Sequence, residues 1–512
     1  MRYLLTNEQM RKADEYTIQK LGDSLILMER AGEALADTVT SLMDLRTRIR
    51  VKVLCVCGGG NNGGDGFVCA RILRERGVDA EVVCQANKYS ADCQKVMEKY
   101  LESGGVILQE IPKNGYAVVV DALLGTGYKG RLKAETEKTV LCINALKRDG
   151  AKIVCADIPT GVDGDNGQVQ TTAVKGDITL CIGEVKAGVY LGDGIHYAGE
   201  VRVADIGIQR IENYAEIIDK NSVKTLLPKR KRNSHKGTYG KAGLVVSSVQ
   251  YSGAGCLVGG ACLRSGVGYT ALFLPEKLIY PYMLKMPEAL LYSISDGDRV
   301  AFNEEKFQTL LGFDAVAYGS GLGISKDVYL GAKYLIENYT GKLILDADAL
   351  NSLAEYGDSE TLFANKKCQI LLTPHVKEFS RLSGESVEEI LQNGLYATKD
   401  YAKKHGIAVL LKNAVSVLCD GERTCVNIHG SSGQAKAGSG DVLTGLIAGL
   451  CAQGLSVFNA GKVGAYLFGR SAEIAVKDTG EYSLLPTDCI NALPKAFLSA
   501  VSEDTDEDGN CR

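Results

Sequence analysis

At 512 residues the chain exceeds one ordinary core, so two domains are expected, and its 45% apolar and 23% charged residues are those of a globular protein. A formal net charge of -4 argues against nucleic acid as the main partner, which usually demands a basic face. No uninterrupted apolar stretch of about 20 residues occurs, so no membrane span is expected.

From the start of the chain, residues 6–40 place Met10, Ala13, Ile18, Leu21, Leu25 and Met28 at roughly helical spacing and predict an opening helical segment. It lacks the basic region and apolar core of a signal peptide, so the cytoplasm is the expected compartment. From Val51 onward short β-branched runs, at 51–57, 79–84, 106–110, 117–121, 152–157 and 178–182, alternate with helix-like segments such as 67–76, 92–103 and 135–148. This rhythm predicts a mostly parallel sheet covered on both faces, with strand-end loops gathered on one rim where ligands bind. The 59 glycines exceed the roughly 7% average and cluster at strand ends, which favours functional loops over a flexible linker protein.

A polar, basic stretch at 213–241 marks the expected domain boundary, and its Lys229-Arg230-Lys231-Arg232 run reads as a solvated linker or a phosphate contact. The pattern restarts at 244–248, with strands expected at 269–274, 315–318, 342–345, 369–372 and 407–411. Helices are expected at 254–265, 328–339, 391–404, 441–452 and 460–476. The acidic tail, 502–512, is expected to be disordered. The fold class is therefore α/β, with domains at 1–213 and 222–501. The 16 cysteines sit inside apolar runs without a CxxC pair, and the five histidines lack zinc spacing, so buried reduced thiols are expected.

Two glycine-rich cradles stand out. Cys57-Gly58-Gly59-Gly60-Asn61-Asn62-Gly63-Gly64-Asp65-Gly66 and Ala437-Gly438-Ser439-Gly440-Asp441 each link a β-type run to a helix-like one. Such a turn points backbone N–H groups and a helix dipole at an anion, and its glycines permit positive φ and close backbone approach. The first lacks the GxxxxGK[ST] spacing of a P-loop. Two more strand ends carry acids, Asp121-Ala122-Leu123-Leu124-Gly125-Thr126-Gly127 and Asp157-Ile158-Pro159-Thr160-Gly161-Val162-Asp163. Each acid alone reads equally well as a helix N-cap; their shared rim favours a site.

With NNGGDG, DALLGTG and ADIPTGVDGD in this order, residues 1–210 resemble the NAD(P)H-hydrate epimerase family, the YjeF N-terminal domain. The resemblance implies a Rossmann-like three-layer fold acting on NADHX and NADPHX. It implies that Asn61, Asn62, Gly63, Gly64 and Asp65, with Gly125, Thr126, Gly127, Tyr128, Lys129, Gly130 and Arg131, hold phosphates and sugars. It further implies a potassium ion on Asn62, Asp121 and Thr160, oxygen ligands suited to a hard cation, and Asp157 as the acid/base facing C6 of the ring. Thr160 stands where the family often has serine.

In the second half, Ser234-His235-Lys236-Gly237-Thr238-Tyr239-Gly240, Asp346-Ala347-Asp348-Ala349-Leu350-Asn351, Thr373-Pro374-His375 and the Gly438–Asp441 cradle occur in order. A Gly-x-Gly-Asp turn at a helix start can cradle a phosphoryl group while its Asp takes a proton; alone it is equally a capped helix start. Together these segments resemble the ADP-dependent NAD(P)H-hydrate dehydratase branch of the ribokinase-like superfamily, over about residues 222–500. The resemblance implies a three-layer α/β fold in which Ala254, Gly321, His375 and Asp441 touch the hydrate, with Asp441 as base. Lys412, Asn413, Ala414, Val415, Ser416 and Gly440 would hold ADP, with magnesium on the nucleotide oxygens. Asn413 and Ser320 replace the family's usual glycine and proline, and His375 reads alternatively as a helix cap. The expectation is a bifunctional repair enzyme, a homo-oligomer, whose partners are NADHX, NADPHX and ADP. A small-molecule kinase in the second half, or a non-catalytic binding module in the first, are the alternatives.

Overall fold

The computed structural model describes residues 2–43, 52–211, 214–358 and 361–502. Beyond Ser502 the expected acidic tail lies outside the described residues, as do the boundary positions Val51 and Asn213. Within them the chain divides into two compact units, Arg2–Ala215 and a second that begins at Glu216.

In the first unit the expected opening segment is two helices, Asn7–Leu21 and Leu25–Ser41. Gly22 takes a left-handed φ of 80° and stops the first, and Thr6 caps its start with Gln9 in a reciprocal capping box. Seven parallel strands follow in the spatial order Ile107–Leu108, Asp79–Cys84, Lys52–Cys57, Val118–Ala122, Lys152–Ala156, Ile178–Ile182, Glu200–Ala204. The last of these was not expected from the sequence. Strand Lys52–Cys57 shows why the sheet is covered on both sides. Val53, Cys55 and Cys57 enter one core with helices Leu25–Ser41, Asn61–Glu75 and Ala91–Glu102, while Leu54 and Val56 enter another with Ala134–Arg148. The chain runs outward from Lys52–Cys57 on one side, then returns to Val118–Ala122 on the other. The crevice between these two strands is a topological switch point.

The second unit repeats the principle with a larger sheet. Its order is Leu290–Ser295, Tyr269–Pro275, Lys241–Val245, Ala315–Tyr318, Lys342–Leu345, Gln369–Leu372 and Ala408–Leu411, all parallel, then the antiparallel Ser416–Cys419 and Thr424–Asn427. Glu216 and Ile217 pair with Cys425 and Val426, so the stretch expected to be mere interruption supplies strand, and helix Lys220–Leu226 buries Val223. One face packs helices Gly253–Arg264, Ser439–Ala452, Val457–Ser483 and Pro486–Val501; the other packs Lys326–Asn338, Asp348–Tyr356, Val376–Ser383 and Val387–His405. The switch point here lies between Lys241–Val245 and Ala315–Tyr318. Of the basic run, Arg230 stacks on Tyr239 and donates to the Gly266 carbonyl at 2.6 Å. The described cysteines are free thiols, buried except for Cys84, Cys142 and Cys256.

Candidate active sites

The first cradle differs from its expected form. The helix begins at Asn61, with Gly60 as its N-cap, so Asn61–Gly66 are its first turns rather than a loop. No glycine from 58 to 66 has a positive φ, which corrects one reason given for their presence. Close approach is the reason that holds. A Cβ at Gly63 would overlap the Gly58 carbonyl, one at Gly58 the Leu123 carbonyl, and one at Gly66 would lie 2.6 Å from Cys57 Sγ. Gly63, Gly64 and Asp65 are buried, and the Gly64 amide already donates to Gly60 O at 3.0 Å. Asn61 is exposed and accepts from Ser90 Oγ at 3.2 Å.

Around Asn62 the expected oxygen donors meet. Asn62 Nδ2 donates to Leu124 O at 3.0 Å, and the Leu124 amide donates to Thr160 Oγ1 at 3.0 Å. Thr160 in turn donates to Asp121 through its amide at 2.8 Å and its hydroxyl at 2.7 Å. Asp121 is wholly buried, and burial pushes its carboxyl up to about 6 against these hydrogen bonds. Asn62 Oδ1 is buried with no hydrogen-bond partner. In the neighbouring loop Gly125 lies against Asn62, and its Cβ would sit 3.2 Å from the Asn62 Cβ. Thr126, Gly127 and Gly130 shape the rest of the loop, in which the Tyr128 hydroxyl donates to Gly130 O. Lys129 pairs with Asp165 at 2.8 Å, and Arg131 is exposed.

Asp157 follows strand Lys152–Ala156 at φ 67°, a left-handed torsion for a non-glycine residue. Its amide donates to Leu180 O at 2.8 Å and its Oδ1 accepts from Ile182 N at 2.9 Å, which together hold the turn. Its carboxylate forms an ion pair with Lys186, a residue the sequence reading missed. Asp14 and Asp65 face the same cluster; burial raises Asp14 to about 6 and Asp65 well above the carboxylate range.

In the second unit Ala254 and Gly321 meet at the switch point: Gly321, at φ 71°, would place a Cβ 2.7 Å from that of Ala254. Asp441 lies in the first turn of helix Ser439–Ala452, whose Gly438 cap adopts φ 96°. The helix is fixed by close packing of Gly445 against the Val258 carbonyl. Burial pushes Asp441 up to about 7, the Asp346 carboxylate adds to the rise, and Ser320 and Lys412 oppose it. Asp346, absent from the expected site, organises the centre. It accepts from Lys412 Nζ at 2.7 Å, Thr373 Oγ1 at 2.8 Å and Thr444 Oγ1 at 3.0 Å. A Cβ on Gly440 would lie 3.1 Å from Lys412 Nζ, so a group resting on the helix start would touch that ammonium. Asn413, Ala414 and Val415 form the hairpin turn to Ser416. Asn413 and Ala414 are exposed, but Val415 is buried in the core and offers no side chain to a nucleotide.

Both readings of His375 coexist. Its Nδ1 accepts from the amides of Lys377 and Glu378, at 3.1 and 3.2 Å, and caps helix Val376–Ser383. That leaves Nε2 as the protonated nitrogen of a half-exposed ring, and burial and Lys412 lower its affinity for a second proton. Among the described residues three non-glycines have a positive φ: Asp157, Ser247 and Ala347. Asp157 directly follows its parallel strand, and Ser247 and Ala347 lie two residues past the ends of theirs, all on the ligand rims.

Residues 24–188 match the family described as YjeF-related protein N-terminus, and residues 242–495 match the family described as NAD(P)H-hydrate dehydratase. A bifunctional NAD(P)H-hydrate repair enzyme of Thermofilum pendens is 34% identical over 97% of this chain and 96% of its own length. The chain belongs to the bifunctional NAD(P)H-hydrate repair enzyme family. A second member, from Moorella thermoacetica, is 31% identical over 98% of both chains. A solved ADP/ATP-dependent NAD(P)H-hydrate dehydratase from Bacillus subtilis, co-crystallised with ATP and magnesium, covers 56% of this chain and 99% of its own, at 29% identity and a TM-score of 0.49. Within this repair-enzyme chain, the signal that could have revealed Lys186 is a lysine just past the mostly apolar strand run 178–182. Asp346 stood in a motif already noted, and only its side-chain partners give it a role.

Proposed function

We propose that the first unit interconverts the R and S hydrates of NADH and NADPH, and that the second dehydrates the S form with ADP as phosphoryl donor. The observation that carries this reading is one carboxylate-bearing rim per unit, each at a switch point, in a chain matched by repair enzymes along nearly its whole length.

In the second unit, Asp441 near pH 7 can take the proton of the C6 hydroxyl as its oxygen attacks the β-phosphorus of ADP. AMP departs, and the C6 phosphate ester then leaves as phosphate, a far better leaving group than hydroxide, pushed by the ring nitrogen lone pair. Lys412, anchored by Asp346, meets the transferring group beside Gly440, and the Nε2–H of His375 is a donor for the hydrate. Magnesium neutralises charge on the nucleotide oxygens.

In the first unit, Asp157 exchanges protons with the oxygen at C6, while Asn61, Asn62 and the Gly125–Arg131 loop hold the dinucleotide. Asn62, Asp121 and Thr160 fit a potassium ion: all three offer oxygen, and the buried Oδ1 of Asn62 lacks any other partner. Such an ion supplies a fixed positive charge next to the anionic dinucleotide. A potassium-dependent rise in melting temperature that sodium does not reproduce, lost in Asn62→Ala, tests this binding without any turnover.

The function is tested by following reduced-nicotinamide absorbance as the protein meets mixed-epimer NADHX with ADP or with ATP. Complete conversion faster than uncatalysed epimerisation supports both activities. A stop at the S fraction removes the epimerase, and no conversion with either nucleotide removes the dehydratase.

A further inference from the structure

One buried cation in the first unit has no part in the chemistry above. Lys186 is 1% exposed and follows strand Ile178–Ile182 after a tight turn at Gly183. Its ammonium pairs with Asp157 Oδ1 and donates to Ile182 O at 2.5 Å. The Ile182 amide donates to that same Asp157 oxygen at 2.9 Å. Carboxylate, ammonium and the Ile182 backbone thus close a small ring. A buried ammonium is expensive unless paired, and breaking such a pair strands its charge. Here burial alone would lower the lysine, but the Asp157 carboxylate, aided by Asp14, holds it above its ordinary value.

Among the described residues the groups around this pair include Asp14 from helix Asn7–Leu21, Asp65 from helix Asn61–Glu75, Cys181 from strand Ile178–Ile182, Glu184 from the turn, and Arg2, which acts on Cys181 from strand Arg2–Leu5, itself paired with Lys186. Asp65 and Cys181 are held toward their neutral forms by burial, as is Asp14 in part. Among the described residues, Lys186 is the one cation that forms an ion pair with Asp157.

Epimerisation at C6 requires a carboxyl to change charge twice. A proton passes from the carboxyl to the C6 hydroxyl, which leaves as water while the nitrogen lone pair forms the N1–C6 double bond. Water then adds to either face of that cation and returns a proton to the carboxylate. Nothing is oxidised or reduced, and no atom is gained.

Resting on the assignment of Asp157 above, we propose that Lys186 is a positioning residue for this reaction: it aims Asp157 and stabilises the carboxylate that exists between loss and return of water. The left-handed backbone at Asp157 presents the side chain toward Lys186 and Ile182, and the ring of contacts leaves its Oδ2 for the substrate.

The test uses the full chain without ADP, so that dehydration is silent, and separates R and S forms by chromatography across a pH series. Lys186→Met is expected to slow epimerisation by at least about tenfold and to move the alkaline decline to higher pH, because removing a neighbouring cation favours the protonated carboxyl. Lys186→Arg, which keeps the charge, is expected to keep the decline where the wild type has it. A Lys186→Met rate within about twofold of wild type, or a slow enzyme with an unmoved profile, overturns the proposal. Should Lys186→Met not fold, a decline displaced in Lys186→Arg by about one pH unit or more overturns it instead. Asp157→Asn is run alongside. If it epimerises normally, the acid/base assignment itself fails; if it is silent while Lys186→Met is normal, only the role of Lys186 fails.

Discussion

Asp346→Asn should move the pH dependence of dehydration in a direction that simple loss of a binding residue would not. In the wild type, a base with its midpoint near 7 is about one-tenth ionised at pH 6 and about nine-tenths at pH 8, so the rate should climb about tenfold between them. Asp346 contributes to that high midpoint by facing Asp441 with a second negative charge. It also engages the Lys412 ammonium at 2.7 Å, which is then less able to lower Asp441. Substitution by asparagine removes the like charge and frees the cation, so both effects favour the Asp441 carboxylate. The limb should fall by about one unit, leaving the variant about half ionised at pH 6. Its plateau should also drop, since Lys412 loses its anchor. The assay is the initial rate with the isolated S epimer at saturating ADP, from pH 5.5 to about 9, normalised to each plateau. Comparing both proteins with the same nucleotide cancels titration of its phosphate. An unmoved limb, or one displaced upward, would refute the reasoning.

Further outcomes follow from the same geometry. Asp157→Asn should leave dehydration of the S form unchanged while conversion of mixed epimers with ADP slows, after the S fraction, to the uncatalysed rate. Asp14 is raised in the folded chain from 3.8 to about 6, so the native state holds an extra proton across that window and loses stability as pH rises through it. Asp14→Asn should therefore stabilise the first unit by up to about 3 kcal/mol above pH 6 and by little near pH 4, read as melting temperature against pH. Gly63→Ala forces a methyl onto the Gly58 carbonyl and should cost about 3 kcal/mol, at the upper end for overpacking. An unchanged denaturation midpoint would show that the helix start can shift.

The strand rhythm of the sequence was legible because parallel strands buried on both faces must be continuously apolar, as in Val53-Leu54-Cys55-Val56-Cys57. Less visible was where a helix begins. Glycine and asparagine favour loops by propensity, yet Asn61–Gly66 is helical because only bare backbone fits against Gly58, Cys57 and Met28. Residues whose role depends on a partner far along the chain were beyond reach. Lys186 acquires meaning through Asp157, and Asp346 through Lys412 and Thr444, contacts that local sequence does not encode. Val415 shows the reverse: placed with the nucleotide by its position in a motif, it is buried where the exposed turn Asn413–Ala414 gives way to the largely buried strand Ser416–Cys419.

The left-handed torsions at Asp157, Ser247 and Ala347 offer a way to separate what the backbone wants from what the reaction wants. Glycine is the residue these three turns would choose on conformational grounds, so a glycine scan inverts its customary meaning there. Ala347→Gly relieves a turn without touching a reacting group and should be silent or mildly stabilising. Asp157→Gly relieves its turn equally but strands the Lys186 ammonium. The difference between the two measures how much conformational comfort this chain gives up to hold a charge where it is needed.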